Sequence, residues 1–159
     1  MIARAVAAFL AVTASSSALG ASWTAYGNGR FGYRIDLPPG FPPIREAENG
    51  DGGRSSSPQG HAEFSVWGAN LLDETFRQDV VARIAGTIRD GWKVAYRSVT
   101  ASGAAWSGSK GDRIVYVRAI PRCKDQAAYV RLEYDATAKV AFDPIVARVA
   151  RSLKGIGRC

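Results

Sequence analysis

Two segments of alternating character constrain the fold more than any other feature of the sequence. They span residues 113–120 and 127–134, and a turn-like segment at 121–125 separates them. In the second segment, one face carries small or apolar side chains: Ala128, Val130, Leu132 and Tyr134. The other face carries Tyr129, Arg131 and Glu133. A period of two is typical of a half-buried strand. We therefore predict that the two segments pair at the centre of an antiparallel sheet.

The first 20 residues have the character of a secretory signal peptide. Arg4 gives a positive start, residues 5–12 form an apolar run too short to span a bilayer, and Ala18 and Gly20 fit the small-residue cleavage rule. The alternative is a buried N-terminal helix. We expect cleavage before Ala21, export to the periplasm or the medium, and one domain over residues 21–159 with no membrane span.

The charge is unevenly distributed along a basic chain of formal net charge +7. Residues 21–79 contain five basic and eight acidic side chains, whereas residues 80–159 contain fifteen basic and six acidic ones. A basic second half could favour an acidic protein or an anionic polymer of the cell envelope as partner, with general solubility as the alternative explanation of the charge. Nucleic acid is not an expected partner, because export separates the chain from it and no run of five basic residues exists.

Cys123 and Cys159 are the only cysteines of the sequence. An even number in an oxidising compartment predicts a disulfide, with free or intermolecular thiols as the alternative. The bridge would close a loop of about 37 residues and stabilise the fold by nearly 4 kcal/mol in the chain-entropy model.

The remaining pattern consists of strands, a helix, more strands and a second helix. Further strands are predicted at 30–37, 54–57, 62–68, 92–100 and 104–110, with Trp92, Val94 and Tyr96 on one face of the fourth. A run of strands between two helices favours an α+β fold, in which two main helices pack on an antiparallel β-sheet.

Both helices have an apolar stripe and a predicted cap. The first would follow Asn70 or Asp73 as N-cap and end at Gly91. Its stripe is Leu72, Phe76, Val80, Ile84 and Ile88. The second would begin at Asp143-Pro144 and stop at Gly155. Its apolar face is Phe142, Ile145, Val146, Val149 and Leu153, and its basic face is Arg148, Arg151 and Lys154.

Three stretches carry a resemblance to known proteins. The opening 26–41, the Asn-Gly-Asp-Gly loop at 49–52 and the helix start at 142–149 are similar to those of small exported proteobacterial proteins of unassigned role. The element order resembles the PsbP-like fold, an α/β/α sandwich. This resemblance implies a binding or assembly protein rather than an enzyme, and it carries no functional residue over by position.

Few residues offer catalytic or metal chemistry. His61 is the only histidine and lies beside a turn, where an exposed structural role is expected. The 49–53 loop lacks the first and twelfth ligands of a calcium loop and predicts a tight turn instead. We expect no cofactor and no metal. The acid pairs Glu46/Glu48 and Asp73/Glu74 leave a small carboxylate-based hydrolase as the alternative.

Aromatic and arginine side chains on the predicted strands give the candidate binding residues. They are Trp67, Tyr96, Trp106 and Arg118. Rings beside guanidinium groups bind sugars, peptides or anionic polymers by stacking and charge, whereas the alternative is that these rings fill the core. The first hypothesis is a non-enzymatic binding or assembly protein of the cell envelope. A hydrolase is the second, and a purely structural role is the third. The oligomeric state stays open.

Overall fold

The computed structural model describes residues 22–72 and 74–159. The predicted signal peptide, residues 1–20, and Asp73 lie outside these ranges. Within them, no helix is both long enough and apolar enough to cross a bilayer. The elements in chain order are β1 (Thr24–Asn28), β2 (Tyr33–Leu37), β3 (Arg45–Glu46), β4 (Gly52–Ser56), β5 (Ala62–Asn70), α1 (Phe76–Arg89), β6 (Lys93–Thr100), β7 (Gly103–Lys110), β8 (Arg113–Arg122), β9 (Gln126–Asp135), α2 (Lys139–Ser152) and β10 (Lys154–Gly155).

The described strands form one large and one small antiparallel sheet. The large sheet has seven strands in the order β3-β4-β5-β9-β8-β7-β6, and the small one has the order β1-β2-β10. The predicted central pair is confirmed: β8 and β9 pair from Arg113 opposite Asp135 to Arg122 opposite Gln126. With its two helices, the chain has the predicted α+β architecture.

One face of the large sheet is covered by α2 and the small sheet. Phe64, Val130 and Leu132 point from the large sheet into this layer and are fully buried. Tyr33 and Ile35 meet them from β2, since alternate residues of that strand point inward. Burial of large apolar side chains from three elements makes this layer the main core.

The other face of the large sheet is covered by α1. Val80 and Ile84 of α1 pack with Trp106 and Val117 of the sheet. Tyr129 lies on this face and is 0% exposed. The prediction that β9 is half-buried was therefore wrong for residues 127–130, where both faces are buried, whereas residues 131–135 alternate as predicted. The polar appearance of this face is misleading, because the Tyr129 hydroxyl donates a hydrogen bond to the Asp79 carboxylate of α1.

Helix α1 begins later than predicted. Its N-cap is Thr75, whose hydroxyl accepts from the Gln78 amide while the Gln78 side chain accepts from the Thr75 amide. The predicted cap Asn70 instead ends β5. Leu72, the first residue of the predicted stripe, precedes the helix and is 83% exposed. The reciprocal cap at Thr75 satisfies two otherwise unpaired backbone donors, which fixes the start there.

Helix α2 begins at Lys139, four residues before the predicted cap at Asp143. Asp143 lies inside the helix and forms an ion pair with Lys139 at 2.9 Å. Pro144 cannot donate to the carbonyl of Val140, but Val140 is at the surface, so solvent can satisfy that carbonyl. The helix ends at Ser152, before the predicted stop, and Lys154 pairs with Arg34 in the small sheet rather than continuing the helix.

Strand β6 departs from simple alternation. The register shifts between Val94 and Tyr96, so Tyr96 faces away from the α1 side. The prediction that Trp92, Val94 and Tyr96 share one face was wrong for Tyr96, because a bulge inserts one residue and reverses the alternation.

The predicted disulfide between Cys123 and Cys159 is confirmed. The two Cα atoms are 5.0 Å apart. The bridge fastens the last residue of the chain to the turn between β8 and β9, and thereby ties the segment after α2 to the centre of the large sheet.

Candidate functional site

The four predicted binding residues divide between the two faces of the large sheet. Trp67 and Trp106 lie on the α1 face. Trp106 is only 2% exposed and donates its indole N–H to the Thr87 hydroxyl at 3.2 Å, so it is a core residue. Tyr96 and Arg118 lie on the opposite face, so the four side chains do not share one concavity.

The exposed end of the α2 face contains Tyr96 and Arg118. Tyr96 is 54% exposed. It lies in register with Ser107, which is in turn opposite Tyr116. Burial raises the pKa of Tyr116. Arg118 donates to the carbonyl of Ala104 at 2.9 Å. One of the guanidinium donors of Arg118 is therefore already used within the protein.

Trp67 borders a groove on the α1 face with a volume of about 1000 Å³. The groove lies along the end of the large sheet that begins with β3, where the structure places no helix. Its lining includes Pro42, Pro43, Arg45, Arg54, Ser65, Trp67 and Arg131. We call it the arginine groove.

The sheet register aligns the arginines of this groove in one row. Arg45 is directly opposite Arg54, Arg54 is opposite Ser65, and Ser65 is opposite Arg131. Side chains at directly opposed positions point to the same face. Because adjacent strands are about 4.8 Å apart, the row spans roughly 14 Å. The backbone positions of the three arginines thus follow one line across four strands.

The three arginines differ in how far the protein itself neutralises them. Arg131 pairs with Glu133 at 2.5 Å, and its guanidinium lies 5.3 Å from the ring centre of Trp92. Arg45 and Arg54 are exposed, and neither forms an ion pair with any residue in the described ranges. These two side chains are therefore the positive groups that the groove offers to a ligand.

The acids at the rim of the groove are already engaged. Asp51 pairs with Arg30 at 2.9 Å and accepts from the Asn49 side chain at 2.8 Å. Glu46 accepts from the Tyr26 hydroxyl at 3.0 Å. These bonds hold the loop between β3 and β4 in place. Arg30 offsets the charge of Asp51, whereas the uncharged Tyr26 hydroxyl does not offset that of Glu46, which Arg45 and Arg54 still outnumber.

A stack of side chains separates the groove from α1. Trp67 stacks on Tyr129 with ring centres 5.3 Å apart and planes 14° apart. Arg83 of α1 lies 4.3 Å from the ring centre of Tyr129 and pairs with Asp79 at 2.7 Å. Burial, followed by the hydrogen bond to Asp79, raises the pKa of Tyr129 well above its ordinary value. The stack fixes Trp67 at the border, where it remains half-buried.

His61 lies outside the groove, at the start of β5. Its side chain is exposed, and Nδ1 lies 2.6 Å from Oδ2 of Asp135. Arg113 pairs with the other oxygen of Asp135, also at 2.6 Å. Arg113 and then His61 lower the pKa of Asp135. The three side chains fasten the start of β5 to β8 and the end of β9.

Sequence reasoning missed Arg45, Arg54 and Arg131 as candidates for one site. They are distant in sequence, and β3 is only two residues long. The pairing register of the strands would have identified them, but it cannot be read from a single sequence. In the described ranges, no three His, Cys, Asp or Glu side chains cluster in a way that could hold a metal ion.

The fold places the chain in a recognisable structural class, the α+β sandwiches with a PsbP-like fold. The solution structure of cyanobacterial PsbP (CyanoP) from Synechocystis sp. PCC 6803 matches with a TM-score of 0.62, over 90% of this chain and 98% of that one. The two sequences are 14% identical, so the likeness establishes the fold alone. No known protein family matches the sequence, and no curated protein matches it either.

Proposed function

We propose that the chain is an exported, non-enzymatic binding or assembly protein of the cell envelope, and that its arginine groove binds an anionic polymer. The observation that carries the proposal is the row of Arg45, Arg54 and Arg131 beside Trp67. Guanidinium groups match carboxylate, sulfate and phosphate oxygens, and they stay charged at every pH of interest. An acidic protein is the alternative ligand.

The shape of the groove supports an extended ligand. It is an open trough of about 1000 Å³ along the sheet end. The unpaired members of the row, Arg45 and Arg54, lie on adjacent strands about 4.8 Å apart, so two neighbouring charged groups of a chain can each meet one arginine. Trp67 adds a ring on which a sugar can stack.

The four predicted binding residues have different roles in this proposal. Trp67 belongs to the groove. Tyr96 and Arg118 form a secondary polar surface on the opposite face, and Trp106 contributes to the core beneath α1. We assign no binding role to Trp106, because 2% exposure leaves no surface for a ligand.

The hydrolase alternative was predicted from the pairs Glu46/Glu48 and Asp73/Glu74, of which Asp73 lies outside the described residues. The pairing register adds one further pair of acids. Glu63 and Glu133 are directly opposite on β5 and β9 and therefore share the α1 face. However, Glu133 is paired with Arg131 at 2.5 Å. Because this contact occupies the Glu133 carboxylate, only Glu63 of the pair is left to meet a substrate, so we favour binding over hydrolysis.

Polymer binding is tested with polygalacturonate as the anionic probe and dextran as the neutral one. The test protein is the double variant Arg45→Glu/Arg54→Glu, which reverses the two unpaired arginines. The matched control is Arg151→Glu/Lys154→Glu, which makes the same charge change at exposed positions near the end of the chain. We expect at least a tenfold loss of affinity in the groove variant, about 1.4 kcal/mol, and a much smaller loss in the control.

Isothermal titration at low and high salt provides the readout. Weaker binding at high salt supports ionic recognition, because salt screens exposed charges. Equal losses in the two double variants would instead indicate a general charge effect and would contradict the groove. Equal binding of polygalacturonate and dextran would contradict anion recognition altogether.

Export is tested separately from binding. The full chain is expressed in a Gram-negative host, and the product in the periplasm is analysed by mass spectrometry. We expect a mature protein that begins at Ala21, since Ala18 and Gly20 fit the cleavage rule. A full-length product in the cytoplasm would contradict the proposed location while leaving the groove untouched.

A further inference from the structure

At the opposite end of the large sheet, β6 is an edge strand with a free side. It pairs with β7 and with no other described strand. The Val99 carbonyl accepts from the Arg77 side chain of α1 at 3.3 Å, so it points away from β7. Because backbone groups alternate between the two sides of a strand, the N–H and C=O of Arg97 lie on the same free side.

An apolar groove runs between this edge and α1, with a volume of about 400 Å³. Its lining residues are Arg77, Val81, Ile84, Ala85, Ile88, Arg97 and Val99. Val81 is 53% exposed and Ile88 is 51% exposed. None of the seven is acidic. Charged residues and a bulge commonly protect an edge strand from pairing with other chains. Such protection does not explain why exposed aliphatic side chains lie beside this strand.

We propose that an extended segment of a partner protein adds to β6 as a further strand of the sheet. On its groove-facing side, this segment carries both aliphatic and acidic residues. Its backbone bonds to Arg97 and Val99, its aliphatic side chains cover Val81 and Ile88, and its carboxylates pair with Arg77 and Arg97. Main-chain bonds supply the affinity of such strand addition, and the alternate side chains supply its specificity.

The charges of β6 favour a foreign acidic strand over a second copy of this chain. The strand contains Lys93 and Arg97 and no acid. Antiparallel pairing of two β6 strands would bring like charges together across the new interface, which is unfavourable. The site lies at the β6 end of the sheet and shares no lining residue with the arginine groove at the β3 end. The proposal is therefore independent of the proposed function.

The test uses two short synthetic peptides of alternating pattern. In the first, the groove-facing positions alternate glutamate and valine, and the other positions are threonine. The second has lysine in place of glutamate. We expect the acidic peptide to bind, with at least a tenfold loss of affinity in Arg97→Glu and little change in Arg151→Glu, the matched reversal on α2. We also expect Arg97→Glu to gain affinity for the lysine peptide.

Hydrogen exchange followed by amide NMR distinguishes strand addition from loose charge contact. Added backbone bonds should slow the exchange of the Arg97 amide at least tenfold when the acidic peptide is bound. The proposal is overturned if both peptides bind equally, if neither binds, or if Arg97→Glu and Arg151→Glu behave alike. It is also overturned if sedimentation shows a dimer of the chain and the Arg97 amide is already protected from exchange in the peptide-free protein.

Discussion

The two faces of the seven-stranded sheet are covered in different ways. On the face that carries Phe64 and Val130, α2 and a three-stranded sheet together bury one apolar layer. On the face that carries Tyr129 and Trp106, α1 alone provides the cover. A helix is about 10–12 Å wide, whereas seven strands span roughly 29 Å. One helix cannot cover such a face, so α1 leaves a groove on each side.

This difference teaches where stability and recognition are located. The doubly covered layer contains aliphatic and aromatic side chains with few polar partners, as expected of a stabilising core. Rings contact guanidinium groups in both layers, as with Arg148 over Trp23 and Arg83 over Tyr129, so the difference lies in the uncovered surface at the two ends of the α1 face. At the two ends of the sheet that α1 does not cover, arginine side chains are exposed and can bind a ligand.

The largest expected effect comes from a cavity in the doubly covered layer. Phe64→Ala should lower the free energy of unfolding by about 3–5 kcal/mol, because Phe64 is fully buried among β2, β9 and α2. Urea unfolding followed by circular dichroism measures the loss. Tyr96→Ala, on the exposed end of the sheet, is the control and should change stability by less than about 0.5 kcal/mol. Similar losses in both variants would remove the contrast between covered and open surface.

Loss of the disulfide is expected to have the next largest effect. Replacing Cys123 and Cys159 together by serine should cost nearly 4 kcal/mol, because the bridge constrains a loop of about 37 residues in the unfolded chain. The sequence separation of the two cysteines is 36. Urea unfolding of the oxidised protein and the double variant tests this. An unchanged midpoint would contradict the expected stabilisation by the bridge.

A smaller effect is expected beneath α1. Tyr129→Phe removes the hydrogen bond to Asp79 and should cost about 1.5–3 kcal/mol, as is typical for a bond to a charged group. Thermal unfolding measures the change. Tyr116→Phe removes the same hydroxyl from a half-buried ring that makes no bond to an acid within the described ranges, so this matched control should cost less.

The same substitution should also change the alkaline behaviour. Burial and then Asp79 raise the folded-state pKa of Tyr129, so the folded state retains this proton more tightly than the unfolded state. The resulting stability is fully present below about pH 10 and is lost as the pH rises further. Urea midpoints between pH 8 and about pH 11.5 should fall less steeply in Tyr129→Phe than in the natural protein. Parallel curves would contradict the raised pKa.

The smallest effect is expected at the exposed cluster of His61, Arg113 and Asp135. Arg113 and then His61 lower the pKa of Asp135, so its protonation favours the unfolded chain. The contribution is present above the ordinary aspartate pKa and is lost as the pH falls through the lower folded value. Asp135→Asn should flatten the acid limb of the stability curve, measured by urea unfolding from pH 6 to about pH 2. An unchanged acid limb would contradict the lowered pKa.

The sequence predicted those features that depend on local pattern and compartment. The β8–β9 pair followed from alternation, and the bridge between Cys123 and Cys159 followed from cysteine number and predicted export. Helix starts were predicted less well. Thr75 forms its cap only through reciprocal bonds with Gln78, and Pro144 is tolerated because the carbonyl it leaves unpaired belongs to the exposed Val140.

The candidate site could not be predicted, because it depends on long-range register. Arg45, Arg54 and Arg131 meet only after β3, β4, β5 and β9 have aligned in one order. A bulge near Ala95 turns Tyr96 away from Trp106, and periodicity alone cannot anticipate an inserted residue. Trp67 was the one predicted binding residue that lies at the arginine groove.

The central claim is that a single helix on one face of the sheet leaves two separate binding grooves. Amide NMR of the mature protein tests it most directly, with polygalacturonate and the acidic peptide added in turn. We predict that the polymer shifts signals of Arg45, Arg54 and Trp67, and that the peptide shifts those of Val81, Arg97 and Val99. A single shared set of shifted signals, or none in either titration, would contradict the account.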